Sequence, residues 1–161
     1  MSQAAFTLTR PPMVKEGMLI RRPAAEVFRA FADPAVTTRF WFTKSSGKLV
    51  PGTTVRWEWE MYGASVDVRV REAEEGERIV FDWGPEEAAT TVTLRFVPWK
   101  DDTTYVQVTE TGFSGDGDTA VARVADSTGG FTMTLCALKA LLEHDIELAV
   151  VADHSPPGLE I

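Results

Sequence analysis

The chain has 161 residues, of which 44% are apolar and 25% charged, with a formal net charge of −8. That length suits one domain around one core, and the composition excludes wholesale disorder. An acidic balance without clustered Lys or Arg argues against nucleic acid and against an anionic membrane surface.

Cys136 is the only cysteine, which excludes an intrachain disulfide and a Cys-rich metal site. The two histidines, His144 and His154, sit on different segments, so no metal and no cofactor site is expected. No apolar run is long enough to span a bilayer, and residues 1–12 lack the apolar stretch of a signal peptide. No membrane insertion is expected, and a cytoplasmic location follows as the default.

Residues 1–161 read as a single domain without repeats or linkers, with 1–12 and 153–161 as loose tails. Met13–Ile20 forms a first strand. Pro23 fits the entry of a short helix whose apolar face is Val27, Phe28, Ala30 and Phe31. Asp33–Pro34 breaks that helix, and a second short one runs from Ala35 to Phe40. Phe40–Trp41–Phe42 follows as an aromatic cluster.

The middle of the chain has period two. Val55, Trp57, Trp59 and Met61 alternate with Arg56, Glu58 and Glu60. The same pattern recurs at Val66–Val68–Val70, Ile79–Phe81–Trp83, Val92–Leu94–Phe96 and Val106–Val108. Turn residues separate these runs at Gly63, Gly76, Gly84–Pro85 and Lys100–Asp102. Five strands joined by short turns describe an antiparallel meander with one wet face.

The last third changes period. Val121, Val124, Thr128, Phe131, Leu135, Leu138, Leu142 and Ile146 form one stripe of a helix over residues 118–152, with Asp118 as its N-cap. Gly129 and Gly130 fall inside it, each costing about 1 kcal/mol relative to Ala. Either the helix makes room there over the sheet, or a neighbour packs closely. An apolar sheet face needs a cover, and this helix is the only element long enough. The fold class is therefore α+β: a curved antiparallel sheet wrapped around a long C-terminal helix, with two short helices after the first strand. A curved sheet cannot touch a straight helix along its whole length, so a gap lined by both surfaces is expected.

This order of elements resembles the START-like superfamily, also called SRPBCC or Bet v-like, whose architecture is the helix-grip fold. Within it the chain is similar to the branch named after the activator of heat-shock protein 90 ATPase. The residues that carry the resemblance are Arg22-Pro-Ala-Ala-Glu-Val-Phe28 with Phe31, Asp33 and Pro34, then Arg39-Phe-Trp-Phe42 and Leu49-Val-Pro-Gly52. Val108-Thr-Glu-Thr-Gly-Phe113, Gly129-Gly-Phe131, Leu135 and Leu138-Lys-Ala-Leu-Leu-Glu143 complete the set. The resemblance implies a domain type used by lipid carriers, hormone receptors, polyketide cyclases and co-chaperones, and fold alone does not choose among them. The eukaryotic namesake has an additional N-terminal chaperone-binding domain that 161 residues do not accommodate, so a chaperone partner is not expected.

Glu110 continues the inward face of Val106 and Val108. A carboxylate there must pair, hydrogen-bond or take up a proton, so it is the candidate ligand-orienting group or general base. The alternative is a strand-end carboxylate that reaches water or an arginine. Trp57, Trp59, Met61, Val68, Phe81, Trp83 and Leu94 from the strands face it, with Phe131 and Leu135 from the helix. They form a ligand wall or plain core. In relatives the region of Trp41 lies near the pocket entrance, so the resemblance adds Trp41 to the lining. Cys136 reads as a buried inert thiol and His144 as exposed.

Three functions fit these residues. The first is a noncatalytic binding protein for a small apolar, aromatic or lipid-like ligand. The second is a polyketide cyclase or hydratase in which Glu110 moves a proton, with Tyr62 or Tyr105 as donor. The third is a stress or co-chaperone-type interaction module. A homodimer through an exposed strand edge or the helix is left open.

Overall fold

The computed structural model describes residues 6–161; of the tail read at 1–12, residues 1–5 lie outside the described residues. The chain enters through β1 (Val14–Ile20). Pro23 then stands just before α1 (Ala24–Ala32), whose Val27, Ala30 and Phe31 are buried. Asp33 accepts the backbone N–H of Ala35 at 3.0 Å and so caps α2 (Pro34–Thr37). The buried Thr37 hydroxyl donates to the Ala30 carbonyl at 2.6 Å and ties the two short helices together. α2 ends earlier than the sequence suggests; hydrogen-bonded turns carry the chain on to Trp41.

β2 (Lys44–Ser45) leads into the meander β3 (Thr54–Trp59), β4 (Ala64–Glu74), β5 (Arg78–Trp83), β6 (Thr90–Trp99) and β7 (Thr103–Thr111). All pairs are antiparallel, in the order β1-β7-β6-β5-β4-β3-β2. Alternation sends Val55, Trp57, Val68, Phe81, Leu94 and Val108 to one face, each at most 5% exposed. A bulge between Val70 and Glu72 shifts the parity of β4, which brings Ala73 against the core and adds curvature. On the outer face Tyr105 lies across Gly17, where a Cβ would meet its hydroxyl at 1.9 Å. Met61 departs from the sequence reading: β3 stops at Trp59, and Glu60–Tyr62 forms a 3-10 turn closed by Gly63 at φ 59°.

The C-terminal helix is shorter than its stripe suggests. α3 spans Gly117–His144, and after a break α4 covers Val150–His154, so the expected loose tail from 153 begins inside a helical turn. The N-cap is Asp116 rather than Asp118; its carboxylate accepts the Thr119 N–H at 2.8 Å. Val121 and Ile146, at the ends of the expected stripe, are 48% and 52% exposed. Cys136 is exposed rather than buried, because Leu135 takes the sheet-facing position and the next residue turns about 100° away. His144 is exposed. No helix among the described residues is long and apolar enough to cross a membrane.

The two halves of α3 differ. Phe131, Thr134, Leu135, Ala137, Leu138 and Leu141 are buried, whereas no residue from 121 to 130 is. Lys139 Nζ donates to the Leu19 carbonyl and to Glu143 Oε2, both at 2.7 Å, and the Arg21 N–H donates to the same Glu143 oxygen at 3.0 Å. The C-terminal half is thus pinned to the end of β1, whereas the other half is at most partly buried and touches the sheet at single points such as Ser127 on Glu110. Burying Leu135, Leu138 and Leu141 contributes roughly 1.5–3 kcal/mol each. That outweighs the two interior glycines, so the helix forms intact.

Burial pushes the Glu143 carboxyl up, but the hydrogen bonds and charges of Lys139 and Arg21 prevail and hold it below the usual carboxylate range. A depressed native value means that the stabilisation is complete above the unfolded glutamate value of about 4.3 and is lost as pH falls through the native one. Glu143→Gln should therefore flatten the acid limb of a stability profile measured by urea unfolding below about pH 4.5. An unchanged slope would show that this contact contributes nothing.

Candidate ligand-binding site

Beneath the N-terminal half of α3 lies a cavity of about 650 Å³. Trp83 from β5, Trp59 from β3, Trp41 from the turn after α2 and Phe131 from α3 supply its flat walls. Ring centroids are 5.8 Å apart for Trp41–Phe131, 5.9 Å for Trp83–Phe131 and 6.1 Å for Trp41–Trp83. The three rings make an aromatic corner in the tilted and edge-on geometries that aromatic groups prefer.

Gly129 and Gly130 form the helical side of this space. A Cβ at either position would meet nothing within 4 Å. Close packing therefore does not account for them; what they leave open is the cavity.

A second chamber of about 270 Å³ shares Trp59, Trp83, Asp126 and Ser127 with the first. Glu110 lies in its wall, 3% exposed. Strand alternation turns the carboxylate inward, and donors from three elements meet it. Trp83 Nε1 donates to Oε2 at 2.9 Å, the Thr90 hydroxyl donates to the same oxygen, and the Ser127 hydroxyl donates to Oε1. Trp83 and Thr90 are direct cross-strand partners, which explains why the indole also reaches Thr90 Oγ1 at 3.0 Å. Both carboxylate oxygens thus act as acceptors, and the burial of the group is compensated.

The candidate residues divide into three groups. Trp41, Trp59, Trp83 and Phe131 line the large chamber, and Trp59, Trp83 and Glu110 the small one. Trp57, Val68, Phe81, Leu94 and Leu135 lie in the packed core behind these walls, each at most 1% exposed. Met61 is in the 3-10 turn, off both walls. Neither tyrosine is placed to donate to Glu110: Tyr105 is on the opposite sheet face, five residues away along β7, and the Tyr62 hydroxyl donates to the Val151 carbonyl.

Ser127, Asp126 and Thr90 were not singled out from sequence. Ser127 precedes Phe131 by four residues, so helical spacing from that ring would have found it. Val151, His154 and Ser155 also line the large chamber, and they belong to the stretch read as the end of the helix and a tail. Here α3 ends at Asp145 in the left-handed region, φ 52°, and α4 follows after Ala149, φ 55°. Arg39 holds the connection by donating to Asp145 at 3.1 Å and Glu147 at 2.8 Å. The Tyr62 hydroxyl holds α4 itself through Val151 and, at 3.3 Å, Ala152. Tyr62→Phe should raise amide hydrogen exchange in residues 150–155 several-fold while leaving α3 protected. Equal protection in both proteins would show that the hydroxyl does not hold α4.

A wider depression of about 820 Å³ lies outside, between residues 6–12 and the start of α3, and does not reach the tryptophans.

The family model described as "Activator of Hsp90 ATPase homolog 1-like protein" matches residues 21–143. No curated protein matches the chain in sequence. Among solved structures, protein SSP2350 from Staphylococcus saprophyticus is 28% identical with a TM-score of 0.74, over 85% of this chain and 96% of that one. DynU16, from the dynemicin biosynthetic locus, is 20% identical with a TM-score of 0.74, over 84% of this chain and 48% of that one. The Aha1 dimer from Colwellia psychrerythraea is 16% identical with a TM-score of 0.71, over 83% and 97%. The latter two likenesses concern the fold alone. The matched family segment runs from the end of β1 through α3 and so contains both short helices, the whole meander and the glycine pair; the chain belongs to the activator of Hsp90 ATPase homolog 1-like family.

Proposed function

We propose that this domain binds a small apolar or aromatic molecule in the cavity between the N-terminal half of α3 and the sheet. The observation that carries the reading is the Gly129–Gly130 pair. Two glycines inside a helix cost about 1 kcal/mol each relative to Ala, and no neighbour requires them. Their effect is to keep an aromatic corner open. A volume of about 650 Å³ is within the range of small-molecule sites. The family match supports a ligand-binding fold and leaves the ligand to be identified.

The proposal is tested by screening planar aromatic and polycyclic compounds with the intact chain, using native mass spectrometry and quenching of tryptophan emission. Saturable quenching with a one-to-one mass shift is the expected result. If no compound binds at millimolar concentration, the reading is lost.

A further inference from the structure

The chemistry of the ligand can be narrowed by following the protons in the wall that the two chambers share; this rests on the binding reading above. The Trp83 N–H is committed to Glu110 and Thr90. The hydroxyl protons of Thr90 and Ser127 are both committed to Glu110. On the large chamber, the Thr134 hydroxyl donates to the Gly130 carbonyl at 2.9 Å, and that of Tyr62 to Val151. A hydroxyl whose single proton is engaged has only lone pairs left to offer. Ser127 Oγ is therefore left with acceptor capacity only, and Ser127 lines both chambers next to Asp126, which carries a carboxylate.

The groups of opposite character are few. Arg123 lines the small chamber, but its guanidinium lies over the Phe113 ring at 5.3 Å and donates to the Ala88 carbonyl at 3.1 Å. Trp41 and Trp59 bring one N–H each, and the imidazole of His154 and the hydroxyl of Ser155 are on the side by α4, away from Ser127 in the sequence. Among the described residues, Asp126 is the only Asp, Glu, Lys or Arg on the wall of the large chamber. The ring faces add their own preference, because the electron-rich face of an indole attracts a cation.

We propose that the ligand is a planar aromatic body bearing a protonated amine. Its rings sit in the Trp41–Trp83–Phe131 corner, and its ammonium donates to Ser127 Oγ and the Asp126 carboxylate.

Three probes that share one ring system test this by isothermal titration calorimetry: 2-naphthylmethylamine, 2-naphthalenemethanol and 2-naphthoate. The amine should bind at least about tenfold more tightly than the carboxylate, the scale of one charge-assisted contact. In Asp126→Asn, an exposed rim substitution, the advantage should shrink to about threefold or less, with the unfolding temperature unchanged. Naphthoate binding as tightly as the amine, or an advantage that survives Asp126→Asn, overturns the ammonium assignment and leaves the cavity reading intact. If none of the three binds, both readings are lost together.

Discussion

Trp57→Ala should lower the unfolding free energy by about 3 kcal/mol, whereas Trp57→Phe should cost no more than about 1 kcal/mol. The indole is 1% exposed and stacks on Phe42 with centroids 4.4 Å apart. It also meets Trp41 at 4.9 Å and Phe81 edge-on at 5.3 Å. Truncation would empty the space where β3, β5 and the turn after α2 converge, and so many elements cannot all collapse into it. The contrast between the two variants comes from the ring nitrogen. Trp57 Nε1 is buried without a partner among the described residues. Phenylalanine removes that unpaired donor while keeping most of the ring, so two effects of opposite sign nearly cancel. Urea unfolding of both variants measures the difference. Equal losses would mean that the nitrogen has a partner after all; a loss below about 1 kcal/mol in the alanine variant would mean that the core relaxes around the hole.

Gly130→Leu should abolish binding of a planar ligand, by at least about 100-fold, without loss of stability, because the new side chain takes the ligand's own space. Nothing stands within 4 Å of a Cβ at Gly130, and the residue borders the cavity, so the rest of the leucine side chain has that space to enter. Leucine also favours the helix over glycine by about 0.5–1 kcal/mol. Gly130→Ala separates the two effects: the helix gains nearly the same stability, while a methyl group leaves most of the cavity free. A mutation that stabilises the protein and removes its binding is hard to explain unless the space itself is the site. A destabilised Gly130→Leu protein would show instead that the position is already filled.

The strands, their inward faces and the change of period at α3 were legible in the sequence, because each follows from a regular alternation sustained over several residues. β2 was not, since two residues cannot display a period. The helix end was misjudged because Leu142 and Ile146 keep helical spacing across a break that Asp145 makes in the left-handed region. Within the site, residues on period-two strands such as Trp59, Trp83 and Glu110 could be assigned a face. How far each lay from the helix could not be read. Trp57 and Trp83 share one apolar pattern, yet Trp57 is packed behind Phe42 and Trp83 borders the cavity. That difference depends on where the curved sheet parts from α3, a property of the assembled layers. The partners of Glu110 were hidden for a related reason: Trp83, Thr90 and Ser127 come from separate elements and meet only in three dimensions.

Gly129 and Gly130 of α3 border a gap over Trp83, next to the point where Ser127 bridges to Glu110 of β7, and this gap is where the proposed ligand is expected to sit. Diffraction from crystals grown with 2-naphthylmethylamine examines this most directly. Ring density is expected against Trp83 and Phe131, facing Gly129 and Gly130, and none in Gly130→Leu crystals. A map in which the protein's own side chains fill that space, with the compound absent or bound elsewhere, would contradict it.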